Sequence, residues 1–396
     1  MLSNRTLFLR HLAPTSPSPL MIEVERAEGL YFYAPDGKRY LDMISGIAVS
    51  NLGHRHPAVL AAIQAQLDRY LHVMVYGELV QSPQVRLAEA LARQLPEGLS
   101  SVYLVNSGAE ATEGAMKLAK RYTGRPEIIA CHKAYHGSTQ GALSLGGEAF
   151  RQAYRPLLPG IKHIHYGSFR DLAQEIGPQT AAVFIEPVQG EAGVVYACPA
   201  YFQALRQRCT EVGALLVFDE IQTGLGRTGK LWAFEHYGVV PDVLLLAKSL
   251  GAGLPLGAFI SRPEVMQCLS QAPVLGHITT FGGHPVSCAA ALAQLEEIIH
   301  TQVYAEAEEK GLYLTQQLKH PSIREIRQKG LMIALVMDSF AVLKPVIDRA
   351  LELGVLTDWF LYCDCAMRLA PPLNISYTEL DEAAQLLNQA FEESGS

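Results

Sequence analysis

The stretch VLLLAKSLGAG, residues 243–253, joins a run of aliphatic residues to a lysine and then to glycines. A run of this length predicts a buried strand, and Lys248 stands directly at its end. A lysine is almost never fully buried without a partner, and loss of water lowers the pKa of its ammonium group. Lys248 is therefore a candidate amine nucleophile of the kind that forms a Schiff base.

Six other apolar runs of similar length occur in the chain, and helical patterns separate most of them. They are SVYLVN (101–106), EIIACH (127–132), HIHY (163–166), AAVFIEP (181–187), ALLVFDE (214–220) and GAFIS (257–261). Strands that alternate with helices predict an α/β fold whose mostly parallel sheet is covered on both faces. Ligands in such folds bind beyond the carboxyl ends of the strands, so the polar residues that end these runs are candidate site residues.

Both ends of the chain differ from this central pattern. Residues 21–43 predict short alternating strands around the turn Pro35-Asp36-Gly37, and the chain beyond Val286 is rich in helical and alternating segments. We therefore predict a large domain over residues 46–289. A smaller α+β domain is predicted from residues 1–45 together with 290–396.

Charge and composition restrict the possible partners. The 396 residues carry a formal net charge of −7, which does not favour the basic face that binds nucleic acid. The seven cysteines include no C-x-x-C pair, so we expect reduced thiols and no metal site. The chain has neither the apolar core of a signal peptide nor a run long enough to span a membrane, and we expect a cytoplasmic protein.

Two strand-end residues suggest a specific cofactor when they are taken together. Asp219 alone would more often cap a helix or face solvent. With Lys248 it offers another chemistry, because a carboxylate can keep a pyridine nitrogen protonated while a lysine forms an imine with the aldehyde of the same ring. The segment Asn106–Glu113 follows a strand and opens a helix, where Ser107 can cap and Gly108 allows close approach of a phosphate. The combination predicts pyridoxal 5′-phosphate.

A competing motif is GLGRTG, residues 224–229, which has the G-x-G-x-x-G spacing of dinucleotide-binding proteins. In those proteins the glycines directly join a strand to a helix. Here the segment Asp219–Thr223 intervenes, and no clear ribose-binding acid follows. The sequence therefore does not favour a nicotinamide-dependent dehydrogenase.

The sequence resembles the class III pyridoxal-phosphate aminotransferases, especially the acetylornithine and ornithine aminotransferases, from about Leu30 to Asn374. The resemblance is carried by SGIAVSNLGHRHP (45–57), NSGAEATEGAMKLAKRYTGR (106–125), YHGSTQGALS (135–144), IEPVQGEAGV (185–194), FDEIQTGLGRTG (218–229), LLLAKSLGAGLPLGA (244–258), TTFGGHP (279–285) and MRLAPPLN (367–374). It implies the fold-type-I architecture of that family. It also implies a homodimer with shared active sites.

The resemblance further implies a role for each matching residue around the cofactor. Lys248 corresponds to the Schiff-base lysine and Asp219 to the partner of the ring nitrogen. The amides of Gly108 and Ala109 are implied to bind the cofactor's phosphate, and Tyr135 to stack on its ring. Gln222 is implied to contact the phenolic oxygen, and Glu186 to line the same site. Thr280 is implied to reach the phosphate that the neighbouring subunit binds.

The substrate side is implied in the same way, with one departure from the family. Arg368 corresponds to the arginine that binds the substrate carboxylate, and Glu191 to the glutamate that covers this arginine while the amine donor is bound. Ser138 stands where these enzymes usually carry an arginine that anchors the donor's carboxylate. His284 replaces a more common asparagine, and the sequence gives no interpretation of that change.

These observations predict an aminotransferase that moves an ω-amino group from an acetylornithine- or ornithine-type donor to 2-oxoglutarate by a ping-pong mechanism. Because Ser138 cannot supply the missing charge, a transaminase of diamines or of other amines without a recognised carboxylate stays open. An aminomutase on the same fold also stays open. A catalytically silent binding protein is disfavoured by the intact set of Lys248, Asp219 and Thr280.

Overall fold

The structure, a computed structural model, describes residues 2–395. Its strands are β1 (Arg26–Glu28), β2 (Tyr31–Tyr33), β3 (Arg39–Asp42), β4 (Ser101–Val105), β5 (Glu127–Cys131), β6 (Ile161–Ile164), β7 (Thr180–Ile185), β8 (Leu215–Asp219), β9 (Val243–Leu246), β10 (Gly257–Ser261), β11 (Glu325–Lys329), β12 (Met332–Val336), β13 (Val355–Leu356), β14 (Asp358–Phe360) and β15 (Cys363–Leu369). Its helices are α1 (Asn4–His11), α2 (Ser45–Ala48), α3 (Pro57–Leu67), α4 (Ser82–Gln94), α5 (Gly108–Thr123), α6 (Gln140–Ser144), α7 (Glu148–Arg151), α8 (Phe169–Glu175), α9 (Pro199–Val212), α10 (Pro263–Met266), α11 (Pro285–Thr301), α12 (Ala307–Gln317), α13 (Phe340–Leu353) and α14 (Tyr377–Glu393). Within these described residues, no helix is both long and apolar enough to cross a membrane.

The seven apolar runs form seven strands of a single sheet, in the order β4–β10–β9–β8–β7–β5–β6. Strand β10 runs antiparallel to both of its neighbours, and the pairs from β9 to β6 are parallel. Strands β7, β8, β9 and β10 are buried along their whole length, as expected for a sheet with helices on both faces. The predicted α/β class with a mainly parallel sheet is confirmed.

The G-x-G-x-x-G segment, residues 224–229, forms turns and does not open a helix, in agreement with the sequence argument against a dinucleotide site. Its Arg227 is fully buried and donates hydrogen bonds to the carbonyl oxygens of Leu331 (3.2 Å) and Pro371 and to Oδ1 of Asn51 (2.5 Å). The segment therefore ties the large sheet to the C-terminal part of the chain.

Two smaller sheets are built from the chain ends. Strands β1, β2 and β3 form one sheet with β13, whose pairing with β3 is parallel, and β11, β12, β15 and β14 form the other. The N-terminal strands thus share a sheet with a C-terminal strand. Helix α11 packs against α3 and α4 and runs without a break across residues 289 and 290. The domain limits stay a prediction.

The turn α2 is left-handed. Ser45, Gly46, Ile47 and Ala48 have φ values of 50°, 60°, 66° and 58°. For residues other than glycine this conformation costs about 1–2 kcal/mol each, so the surroundings must hold it. Oδ1 of Asp42 accepts from the amide of Ser45 at 2.8 Å, and Oγ of Ser45 donates to the carbonyl of Ala370 at 2.7 Å. These bonds hold the turn against Ala370, the residue that follows β15.

Helix α5 connects the sheet to the site. Ser107 caps its first turn by accepting from the amide of Glu110 at 3.2 Å, and Gly124 ends it with φ 69°. Its buried face contains Ala111, Ala115 and Ala119, and small residues let the helix lie close to β9 and β10.

Replacing Gly114 by alanine should destabilise the protein. The added Cβ would lie 2.3 Å from Cε1 of the fully buried Phe259, so overpacking outweighs the better helix propensity of alanine. We expect a loss of about 1–3 kcal/mol, seen as a lower midpoint of thermal unfolding. Gly177→Ala is the control, because nothing lies within 4 Å of its added Cβ. An unchanged midpoint for Gly114→Ala would contradict this packing.

Candidate active site

The candidate site is a cavity of about 420 Å³ at the carboxyl ends of the parallel strands. Ten of the residues that the sequence singles out contribute to its lining: Ser107, Gly108, Ala109, Tyr135, Ser138, Glu186, Glu191, Asp219, Gln222 and Lys248. Two others do not. Arg368 borders a small adjoining space together with Gln222, and Thr280 is exposed on the loop before α11.

Lys248 begins a short 3-10 turn directly after β9 and has a positive φ of 45°. Burial lowers the pKa of its ammonium group, and the charge of Arg368 lowers it further, while Glu191 and Asp219 oppose this shift. The net pKa is lower than that of a free lysine, which increases the fraction of neutral amine at a given pH. Lys248 therefore has the electrostatic surroundings of an amine nucleophile.

Asp219 ends β8 and is held by two donors. Its Oδ2 lies 2.6 Å from Nδ1 of His136, and its Oδ1 accepts from the amide of Ile221 at 3.0 Å. Burial lowers the pKa of His136, but the hydrogen bond and charge of Asp219 outweigh this, so the net pKa is raised. The contact with Asp219 therefore favours the protonated form of His136.

His136 was not predicted from the sequence as a site residue, although it lies in the segment YHGSTQGALS that carries the family resemblance. The one available signal was its position between Tyr135 and Ser138, both already assigned to the cavity. Its Nε2 is buried and has no hydrogen-bond partner among residues 2–395. His136 thus lines the cavity with one ring nitrogen that the described residues leave without a partner.

The amino end of α5 opens into the same cavity. The amides of Gly108 and Ala109 lie in the first turn of this 16-residue helix, where backbone N–H groups have no partner within the helix. A Cβ at position 108 would come within 2.7 Å of Cδ1 of Ile221, so a larger residue there would force the Ile221 side chain to move. Such a helix terminus favours a phosphate group.

Arg368 and Glu191 form a bidentate ion pair beside the cavity. Nη1 of Arg368 donates to Oε1 of Glu191 at 2.7 Å, and Nη2 donates to Oε2 at 3.1 Å. Burial raises the pKa of Glu191, but the charge and hydrogen bonds of Arg368 outweigh it and the net pKa is lowered. Nε2 of Gln222 also donates to Oε1 of Glu191, at 3.2 Å. Its implied contact with the cofactor's phenolic oxygen stays a prediction.

Two predicted residues lie at the outer part of the cavity. The hydroxyl groups of Tyr135 and Ser138 are 3.1 Å apart.

Glu186 lies deeper in the cavity, where burial raises the pKa of its carboxyl group to about 8. Its Oε1 accepts from the amide of Gly190 at 3.2 Å.

Pyridoxal phosphate fits this set of residues. The amine of Lys248 can meet the aldehyde, the carboxylate of Asp219 retains lone pairs for the ring nitrogen, and the end of α5 can receive the phosphate. The partnerless Nε2 of His136 marks a further polar contact that the protein itself does not satisfy.

Comparison with known proteins gives the same result. A family model described as "Aminotransferase class-III" matches residues 12–391. The chain is 38% identical to the acetylornithine aminotransferase of Methanocaldococcus jannaschii, with 94% of each chain covered. It is 39% identical to the putrescine aminotransferase of Pectobacterium atrosepticum, covering 89% of this chain and 78% of that protein. The ornithine aminotransferase of Toxoplasma gondii superposes with a TM-score of 0.91 at 31% identity, covering 99% of this chain and 95% of that one. The predicted family, fold type and cofactor are confirmed.

Replacing His136 by alanine should weaken the binding of pyridoxal phosphate. The change removes the 2.6 Å contact that neutralises Asp219, and charged hydrogen bonds contribute roughly 1.5–3 kcal/mol. We expect the Kd, measured by titration of the cofactor's visible absorption, to rise by about tenfold or more. His165→Ala is a matched control, because His165 makes a 2.9 Å contact with Asp171 at the surface. Equal Kd values in both variants would contradict the role of His136.

Proposed function

Because this chain belongs to the class III aminotransferases and depends on pyridoxal phosphate, we propose that it transfers the ω-amino group of an acetylornithine- or ornithine-type donor to 2-oxoglutarate. The observation that carries this proposal is the buried Arg368–Glu191 pair beside the cavity that contains Lys248. An arginine that can be covered and uncovered suits an enzyme that must accept an amine and then a 2-oxo acid at one site.

The residues around Lys248 carry the chemical steps. When bound, pyridoxal phosphate supplies an electron sink for the donor's carbon. Asp219, held by His136, would bind the ring nitrogen and keep it protonated. Nζ of Lys248 would act as the base that moves the proton from the donor's carbon, and the lowered pKa of Lys248 suits this role.

The Arg368–Glu191 pair separates the two half-reactions. While the amine donor is in the site, Glu191 stays paired with Arg368 and neutralises the positive charge of Arg368. The carboxylate of the acceptor then takes the place of Glu191 on the same two nitrogens, since both carboxylates suit the bidentate edge of the guanidinium group. This exchange lets one site accept the amine donor and the 2-oxo acid in turn, as a ping-pong order requires.

A homodimer is part of the proposal. Thr280 lies outside the cavity of its own chain and is exposed, so it is available to the phosphate site of a second subunit. Large apolar side chains are exposed on the same loop and on the segment before α4, among them Val274, Phe281 and Val80. An exposed apolar surface of this kind supports contact with another chain.

A transaminase of diamines is the second candidate. Ser138 replaces the arginine that anchors the donor's carboxylate, and among the described lining residues Lys248 is the one lysine or arginine. The similarity to a putrescine aminotransferase also favours this alternative. A donor without a carboxylate needs no cation at position 138.

A single-turnover experiment distinguishes the two candidates. The holoenzyme is mixed in turn with N-acetylornithine, ornithine, lysine, putrescine and 4-aminobutyrate, and the change in the cofactor's absorption gives the rate. We expect N-acetylornithine or ornithine to react fastest. If putrescine reacts fastest, the diamine function replaces the leading proposal.

The variant Ser138→Arg tests the same point from the protein side. An added guanidinium group should favour donors that carry a carboxylate, raising their rate relative to putrescine by about tenfold. Gln140→Arg adds the same charge two residues away, at an exposed position outside the cavity lining, and should leave the ratio unchanged. An equal change in both variants would mean that position 138 does not contact the donor.

A further inference from the structure

Two carboxylates hold Arg368 on two different edges. Glu191 occupies the edge formed by Nη1 and Nη2, at 2.7 and 3.1 Å. Asp358 occupies the other edge, where its Oδ1 accepts from Nε at 2.9 Å. The carbonyl of Trp359 also accepts from Nη2, at 2.9 Å. The edge that can bind a substrate carboxylate with two bonds is therefore the one that Glu191 covers.

The two carboxylates differ in their connection to Arg368. Asp358 is the first residue of β14 and lies directly opposite Arg368 in the antiparallel pair of β14 and β15. The hydroxyl of the preceding Thr357 donates to the carbonyl of Arg368 at 2.7 Å, which fixes the backbone there. Glu191 comes from the segment after β7, outside this hairpin. Asp358 thus belongs to the same β-hairpin as Arg368, whereas Glu191 contacts Arg368 from another part of the chain.

We propose that Asp358 is a positioning residue for the acceptor: it holds Nε of Arg368 while Glu191 is exchanged for the carboxylate of the 2-oxo acid. Nη1 then has no other partner among the described residues, and Nη2 keeps the carbonyl of Trp359. Both nitrogens keep the direction in which they now bind Glu191, a residue of the cavity lining, because Nε does not turn. This inference rests on the proposed role of Arg368 in binding the acceptor.

The charges support this division of roles. Arg368 is buried, and a buried guanidinium group without a counter-ion is strongly unfavourable. During the exchange, Asp358 is the remaining carboxylate in contact with Arg368 within the described chain. Burial raises the pKa of Asp358 to about 6, so its carboxyl group is still mostly ionised at neutral pH. Arg368 therefore keeps one neutralising partner when Glu191 leaves.

The experiment compares two acceptors that differ in the carboxylate. The aminated holoenzyme is reacted with 2-oxoglutarate and with butanal, which has no carboxylate for Arg368. We expect Asp358→Ala to lower kcat/KM for 2-oxoglutarate by about tenfold or more, mainly through KM, as fits the loss of a charged hydrogen bond. The rate with butanal and the rate of the donor half-reaction should change by less than about threefold.

Three further variants complete the design. Asp358→Asn keeps an acceptor oxygen for Nε and should lose less activity than Asp358→Ala; it also serves if the alanine variant does not fold. Asp364→Ala removes an exposed acid from the same hairpin and should behave as the wild type. Arg368→Ala should abolish the preference for 2-oxoglutarate over butanal.

The outcomes separate this inference from the proposed function. Equal losses for both acceptors in Asp358→Ala would assign Asp358 a general structural role, and unchanged values would remove it from acceptor binding. Either result overturns the inference if Arg368→Ala still loses the preference for 2-oxoglutarate. If Arg368→Ala retains that preference, the proposed role of Arg368 fails and the role of Asp358 fails with it.

Discussion

Buried charges have to be balanced by nearby opposite charges, and this constraint governs the whole site. Lys248 and Arg368 bring two basic groups to the cavity and its border, and His136 adds a positive charge when it is protonated. Glu191 and Asp219 meet them within one buried cluster. Removal of each ion from water is expensive, so each pair is stable only with good geometry. The hydrogen-bond lengths around Asp219 and Arg368 meet that condition.

Much of the fold follows from local sequence pattern. Each of the seven apolar runs became a strand of one sheet, because buried parallel strands need nearly continuous apolar residues. The order of the strands, the antiparallel direction of β10 and the left-handed turn at 45–48 were not predicted. These features depend on contacts between distant parts of the chain, and short-range periodicity carries no information about them.

The site shows the same division. Lys248 and Asp219 could be found because each ends an apolar run, at the edge where α/β proteins bind ligands. His136 contacts Asp219, which is 83 residues away in the chain, and no sequence spacing predicts that contact. Asp358 meets Arg368 through the register of a hairpin whose pairing shifts between Trp359 and Phe360. A bulge of this kind cannot be counted from residue spacing alone.

The strand order of the large sheet also sets the dimensions of the cavity. The ends of β4, β9 and β8 carry Ser107, Lys248 and Asp219, and β10 is inserted between β4 and β9. Neighbouring strands lie about 4.8 Å apart, so one strand spacing separates the ends of β9 and β8, and two separate those of β9 and β4. The backbone hydrogen bonds of the sheet thus set the distances between these strand ends. Side-chain substitutions around the cavity can change its lining, but the separation of the amino end of α5 from Lys248 and Asp219 is set by the backbone of the sheet.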